Sequence, residues 1–182
     1  MNLHIELKST HPAYEWLNKQ ADKLGAKGHF GTHIDCYTKV PKKSLFKVEV
    51  HILDCRKGIP SIDKLAKLPQ LEGKSLLLFT ENMFLNEYGS KSYFGKSDAL
   101  LSKESLEVIL SKSPSFIMID SFGIGNHGEN HQMLDKRCEE LDCFVIENIL
   151  VNPSRIDEIK NVEIKFDLDY PSTGKPCLIR VV

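Results

Sequence analysis

Hydrophobic and polar positions along the chain follow two periods, an alternation typical of strands and a spacing of three and four residues typical of helices. Segments that alternate predict strands with one apolar face, and unbroken apolar segments predict strands covered on both faces. The predicted strands lie at residues 3–7, 45–53, 75–80, 116–119, 143–151, 162–168 and 177–182. The predicted helices lie at residues 12–24, 62–68, 102–110 and 126–141.

The order of these elements predicts an α/β fold. A helix separates the strands at 75–80 and 116–119, and this order supports a sheet in which at least some strands are parallel. Residues 81–99 are rich in Asn, Gly, Ser and Tyr, which predicts a long surface excursion of the kind that borders sites. The chain of 182 residues has the length of one domain, so we expect a single domain over residues 1–182.

Charge and cysteine content narrow the classes of function. The 24 basic and 25 acidic residues give a net charge of −1 and form no blocks, which argues against nucleic-acid or membrane partners and favours a small molecule. Residues 1–7 are too short and too polar for a signal peptide, and no apolar run approaches the length that spans a bilayer. The five cysteines form no C-x-x-C pair and are odd in number, as expected of reduced thiols. We therefore expect a cytoplasmic protein.

A short segment after the first predicted helix carries most of the candidate chemistry. In an extended chain alternate side chains share a face, and the residues that do so here are His29, Gly31, His33 and Asp35. His29 and Asp35 would lie roughly 20 Å apart in a straight strand, so Gly31 must turn the chain to bring them together. Two imidazoles and a carboxylate form a ligand set suited to zinc or another divalent transition ion. Cys36 has the opposite parity, which favours packing and leaves a nucleophilic thiol as the alternative.

Two later residues fit the same ligand chemistry. One stripe of the helix predicted at 126–141 consists of His127, His131, Leu134, Cys138 and Leu141. An inward-facing stripe that begins with histidines indicates a functional role for His131. Glu147 interrupts an apolar strand, and a buried carboxylate needs a cation, a metal or strong donors. The alternative is that Glu147 lies near the strand end and reaches solvent.

The motif His29-x-Gly31-Thr32-His33-x-Asp35 resembles that of the cyclase-like metal-dependent hydrolases, the family that includes bacterial kynurenine formamidase. The later order of apolar strand, Asp-Ser, histidine-bearing helix and Val-Ile-Glu-Asn is similar too, so the resemblance covers roughly residues 29–152. It implies a swivelling β/β/α domain with a mixed central sheet flanked by helices. By position, it also implies a metal site whose first aspartate reaches a second metal and whose ligands are His29, His33, Asp35, His131 and Glu147.

Three features depart from this family. Its motif continues Asp-x-Pro-x-His, and the last histidine donates and accepts protons, whereas the present chain has Tyr37 and Lys39 at those positions. The spacing between His131 and Glu147 is about one helical turn longer than is usual there. The Pro- and Trp-rich segment that shapes the substrate pocket of kynurenine formamidase is missing, so the substrate should differ.

These observations lead to two main hypotheses. The first is a metal-dependent amidohydrolase of the arylformamidase or cyclase type that acts on a small amide, N-formyl amine or cyclic amide through a metal-activated water. It would use one or two Zn²⁺ ions, with Mn²⁺ as an alternative, and Lys39 or His127 would protonate the leaving amine. The second is a catalytically degenerate member that keeps a metal or ligand pocket and acts as a binding or regulatory protein, which the residue at position 39 favours.

A third hypothesis is an interaction module without a metal, in which the five matched residues coincide by chance. For both metal-binding hypotheses we expect a homo-oligomer, a dimer or a tetramer. We expect no nucleic-acid partner and no membrane partner.

Overall fold

The structure is a computed structural model of the chain, and it describes residues 1–12, 14–16, 18–19, 28–95 and 99–182. The helix predicted at 12–24 is helical at residues 14–16 and 18–19. The rest of that prediction, including its apolar positions Leu17, Ala21 and Leu24 and its end at Gly25, lies outside the described residues.

Seven strands form a closed barrel. In chain order they are β1 (His33–Asp35), β2 (Leu45–Asp54), β3 (Ser75–Phe79), β4 (Phe116–Ile119), β5 (Phe144–Glu147), β6 (Asn161–Phe166) and β7 (Gly174–Val181). Around the barrel the order is β1-β5-β4-β3-β2-β6-β7. Strands β2 to β5 pair in parallel, while β1, β6 and β7 pair antiparallel with their neighbours. The sheet is therefore mixed, and β1 closes it between β5 and β7.

Short helices fill the connections between the strands. They are α1 (Ile62–Ala66), α2 (Asn82–Leu85), α3 (Lys91–Phe94), α4 (Lys103–Leu110), α5 (Glu129–Glu140) and a 3₁₀ helix at Pro153–Glu158. Helix α4 begins where the sequence predicts it, because the Ser102 side chain accepts a hydrogen bond from the Ser105 N–H and caps the first turn. Among the described residues no helix is long and apolar enough to cross a membrane.

Of the three hydrophobic clusters among the described residues, the two largest lie on opposite sides of the barrel wall. In β3, Leu77 and Phe79 belong to the core inside the barrel, whereas Leu76 and Leu78 pack against the helices outside it. This arrangement confirms the prediction that unbroken apolar runs form strands covered on both faces. In β1 the inward residue is Ile34, so the flanking His33 and Asp35 lie on the helix side.

Three sequence predictions on local structure are corrected by the fold. Residues 3–7 form no strand, because the Leu3 N–H donates to the Ile179 carbonyl oxygen of β7 but the Ile5 N–H donates to the Thr32 hydroxyl, so the pairing with β7 does not continue. The strand predicted at 143–151 ends at Glu147, where Asn148 takes a positive φ of 57° and turns the chain. The excursion at 81–99 contains α2 and α3. The expected mixed sheet with helices around it is present, but its strands close into a barrel.

Replacing Leu77 by alanine tests the core inside the barrel. Leu77 is fully buried, so Leu77→Ala should lower the free energy of unfolding in urea by about 2–5 kcal/mol through lost burial and a residual cavity. Leu45→Ala in β2 is the matched control, since Leu45 is 47% exposed and should cost less than about 1 kcal/mol. Equal losses in the two variants would contradict the assigned core.

Candidate metal centre

Strand β1 brings the first two candidate ligands to one face of the barrel wall. His33 and Asp35 are two residues apart, and the His33 Nε2 lies 3.7 Å from the Asp35 Oδ1. His33 is paired in register with Glu147 of β5, and the His33 Nε2 lies 3.5 Å from the Glu147 Oε2. Glu147 follows outward-facing Val145 by two residues, so its carboxylate lies on the helix side. The site is thus built at the carboxyl end of a parallel strand.

The turn at Gly31 adds His29 to this face. Gly31 has a φ of +59°, and a Cβ there would lie 2.4 Å from the Ile5 carbonyl oxygen, so the turn requires glycine. The His29 Nδ1 consequently lies 3.1 Å from the Asp35 Oδ1 and 3.3 Å from the His33 Nε2. The bend that the sequence predicts at Gly31 is confirmed.

Helix α5 covers the site and contributes His131. The His131 Nε2 lies 3.4 Å from the Glu147 Oε1 and 4.0 Å from the Asp35 Oδ2. Gly123, in the loop before the helix, permits this approach, since a Cβ there would lie 2.5 Å from the His131 ring and 2.6 Å from the Glu147 carboxylate. The five side chains predicted from the sequence therefore converge on one buried cluster.

Asp135 also belongs to this cluster and was not predicted from the sequence. It lies one turn after His131 on α5, and its Oδ2 is 3.2 Å from the His131 Nε2. The signal was present as the His-x-x-x-Asp spacing, which places both side chains on one helix face. The side chains form two groups, each with ligand atoms within 4.8 Å of one another, and both contain Asp35. The first group is His29, His33 and Asp35, and the second is Asp35, His131, Asp135 and Glu147.

The donor set of the cluster fits divalent cations. Five of the six carboxylate oxygens of Asp35, Asp135 and Glu147 are buried without a hydrogen-bond donor in suitable geometry. Burial raises the pKa of Glu147 and of Asp135 well above their usual range, and the charge of Asp35 raises both further. Burial also acts to raise the pKa of Asp35, but the imidazoles of His33, His29 and His131 outweigh it and lower that pKa. Bound cations would compensate these buried charges.

Two histidines of the cluster, His33 and His131, are buried enough to favour the neutral ring. Burial lowers the pKa of His33 to about 4 and lowers that of His131, so both imidazoles are in the form that binds metals near neutral pH. The His33 Nδ1 lies 3.0 Å from the Gly31 carbonyl oxygen, so a proton on this nitrogen leaves the Nε2 as the electron-pair donor toward the cluster.

Asn148 fixes this arrangement from behind and was not singled out in the sequence. Its Nδ2 donates to the Gly31 carbonyl oxygen at 3.0 Å, and its backbone carbonyl accepts from the Thr32 hydroxyl at 2.6 Å. The Tyr93 hydroxyl donates to the Asn148 Oδ1 at 2.5 Å. Asn148 therefore ties the end of β5 to the turn that carries His33.

The two candidate proton donors lie in different places. The His127 ring is exposed, stacks on Phe122 with centroids 5.0 Å apart, and lies 6.2 Å from the His131 ring. The Lys39 ammonium instead donates to the Glu140 carbonyl oxygen at 3.2 Å and to the Asp142 carboxylate at 3.1 Å. Those partners lie at the far end of α5, roughly 14 Å along the helix from His131. The structure thus brings His127, and not Lys39, to the cluster.

Cys36 packs as a small apolar residue. Its side chain belongs to the core inside the barrel, on the opposite face of β1 from Asp35. Burial raises the pKa of its thiol to about 12, which disfavours the thiolate. Of the two alternatives for Cys36, packing is therefore the one that its position supports.

Solved structures resemble this chain, although no known family model and no curated protein matches its sequence. A protein described as a potential metal-dependent hydrolase with cyclase activity has a TM-score of 0.67 at 15% identity, over 98% of this chain and 94% of its own. A predicted metal-dependent hydrolase from Bacillus stearothermophilus has a TM-score of 0.63 at 15% identity, over 98% and 95%. An isatin hydrolase bound to the product analogue thioisatinate has a TM-score of 0.60 at 14% identity, over 84% and 71%.

The closed mixed barrel and its buried imidazole and carboxylate cluster define an α/β domain with a candidate centre for divalent cations. The fold resembles that of solved proteins described as metal-dependent hydrolases and cyclases, such as the two with which the chain shares 15% and 9% identity. The resemblance seen in the sequence is confirmed at the level of the fold.

A methyl group at Gly123 should disturb the cluster. Gly123→Ala would force a Cβ against His131 and Glu147, so the affinity for Zn²⁺ should fall roughly 10–100-fold in a competition titration with a chelating indicator. Gly73→Ala is the control, because Gly73 also has a positive φ but no atom lies within 4 Å of its added Cβ. If both variants keep the affinity of the parent protein, the assigned geometry is wrong.

Proposed function

We propose that the protein is a metal-dependent hydrolase of a small amide, N-formyl amine or cyclic amide. The observation that carries this proposal is the group of buried carboxylate oxygens without hydrogen-bond donors, which lies among the imidazoles of the cluster. A polar cluster of this kind is costly to bury unless a cation is bound to it. The hydrolase and cyclase descriptions of the structural neighbours, isatin hydrolase among them, support the choice of reaction.

The ligand roles follow the two groups of side chains. His29, His33 and Asp35 would hold one ion, and Asp35, His131 and Glu147 would hold a second. Zn²⁺ is our first choice because imidazoles supply three of the five ligands predicted from the sequence, and Mn²⁺ is the alternative. Bound divalent cations would supply an acidified water and charge stabilisation for the carbonyl oxygen of the substrate.

The proton for the leaving amine is assigned to His127. Its ring adjoins His131 and is exposed, so it can exchange protons with water between turnovers. Phe122 stacks on one face of the His127 ring at an interplanar angle of 19° and fixes its orientation. Lys39, the other candidate, would have to leave Asp142 before it could act.

A second candidate function is that of a binding or regulatory protein that keeps the metal pocket without turnover. The specific observation in its favour is the position of Lys39, which replaces the histidine of the family motif and forms an ion pair with Asp142. This second function predicts that the protein binds metal but hydrolyses none of the amides tested.

Other properties stay predictions. They are one domain over residues 1–182, the swivelling β/β/α architecture that the resemblance implies, assembly into a dimer or tetramer, a cytoplasmic location, and a small-molecule substrate.

Metal content and hydrolysis together test the proposed function. Protein purified without added ions should contain one or two equivalents of Zn²⁺ or Mn²⁺ by elemental analysis, and it should hydrolyse an N-formyl aromatic amine or a cyclic imide. His33→Ala should lose both properties, whereas His51→Ala, a histidine of β2 outside both ligand groups, should keep them. Bound metal without hydrolysis would support the binding function. The absence of both bound metal and hydrolysis would support an interaction module without a metal.

The role of His127 is tested separately with two variants. His127→Ala should lower kcat by about 10²–10⁴-fold at unchanged metal content, because it removes the proton donor. Lys39→Ala should stay within about threefold of the parent, since its ammonium lies at the other end of α5. A large loss of kcat in Lys39→Ala alone would reverse the assignment.

A further inference from the structure

Helix α5 carries two buried carboxylates below His131. Asp135 and Glu139 follow it at successive turns, and each residue is only 1% exposed. Residues four apart lie on one helix face, so the three side chains form one continuous stripe. Because the two carboxylates are adjacent and equally buried, their hydrogen-bond partners can be compared directly.

Glu139 has a full set of hydrogen-bond donors. The backbone N–H groups of Tyr37, Thr38 and Lys39 donate to its carboxylate at 2.5, 2.6 and 3.0 Å. The Thr38 hydroxyl donates to the same carboxylate. The burial of Glu139 is therefore explained by the loop that it binds, and this carboxylate needs no cation.

Asp135 has no comparable partner. Neither of its oxygens has a hydrogen-bond donor, and among the described residues no Lys or Arg forms an ion pair with it. The His131 Nε2 lies 3.2 Å from the Asp135 Oδ2. A carboxylate that only oriented this ring would sit at the other nitrogen, the Nδ1, and leave the Nε2 for the metal. Asp135 instead faces the same nitrogen as Asp35 and Glu147.

We propose that Asp135 is itself a ligand of the second divalent cation, together with Asp35, His131 and Glu147. This inference rests on the metal binding of the proposed function and adds a fourth side chain to that site. Three carboxylates and one imidazole form a harder donor set than the two imidazoles and one carboxylate of the first group. The second group should therefore favour Mn²⁺ relative to Zn²⁺ more than the first group does.

Metal titrations of the parent protein and two variants test the ligand role. In Asp135→Asn, one of the two Zn²⁺ binding steps should weaken at least about 10-fold. His29→Ala should weaken the other step, since His29 belongs only to the first group. Asp135→Asn should also lower the affinity for Mn²⁺ more than that for Zn²⁺, because it removes an oxygen ligand. With Co²⁺ as the probe, the visible absorption bands of the bound ion should change in Asp135→Asn.

The stability of the metal-free protein separates a ligand from a structural residue. Without a cation most carboxyl oxygens of Asp35, Asp135 and Glu147 lack hydrogen-bond donors, and the amide of Asp135→Asn would supply one without a charge, so this variant should raise the Tm of the metal-free protein by roughly 2–4 °C. Asp120→Asn is the control, because Asp120 is equally buried but accepts hydrogen bonds from Thr80 and Glu81. That variant should lower the Tm and keep the metal affinities within about threefold.

The outcomes distinguish this inference from the proposed function. Parent protein that binds neither Zn²⁺ nor Mn²⁺ overturns both. Parent protein that binds metal, combined with Asp135→Asn that binds it with the same affinities and the same Co²⁺ spectrum, overturns the ligand role of Asp135 alone. A weakened binding step together with a raised metal-free Tm supports it.

Discussion

Asp35 is the residue on which the structure of the site depends. Its side chain is fully buried and lies between an imidazole pair on one side and a group of carboxylates on the other. The neighbouring imidazoles favour its ionised form, while its charge disfavours ionisation of Asp135 and Glu147. A cation bound between these groups would stabilise the ionised forms of Asp35, Asp135 and Glu147 together. The same carboxylate thus links two ligand groups that come from different parts of the chain.

The barrel makes this meeting possible through one very short strand. β1 has three residues, yet it pairs with β5 on one side and with β7 on the other. Its register sets His33 opposite Glu147, residues that are more than a hundred positions apart in sequence. The strand has no room to slip, because a shift of one residue would point Ile34 at the cluster and His33 into the apolar interior. Closure of the barrel and assembly of the site therefore depend on the same few hydrogen bonds.

Much of this could be predicted from the sequence, because the strongest signals were local. Parity placed His33 and Asp35 on one face and Cys36 on the other, and the turn at Gly31 followed from the need to bring His29 back. Asp135 was missed because the helix was interpreted by its apolar stripe, in which a carboxylate has no place. The segment at 3–7 alternates like a strand, but only its Leu3 N–H donates to a strand, at Ile179 of β7, while Ile5 pairs with Thr32 in the turn, and alternation does not reveal such partners. Barrel closure was not predictable either, since it depends on which strands meet at the edges.

The loop after β1 determines where the Lys39 side chain lies. Three consecutive N–H groups of this loop converge on the carboxylate of Glu139, which determines the path of the backbone. The Lys39 side chain then continues along α5 to Asp142, away from the cluster. On this side of the site Lys39 thus forms an ion pair at the surface. On the other side an exposed imidazole, that of His127, is held against the ring of Phe122, which is why we propose that proton transfer takes place there.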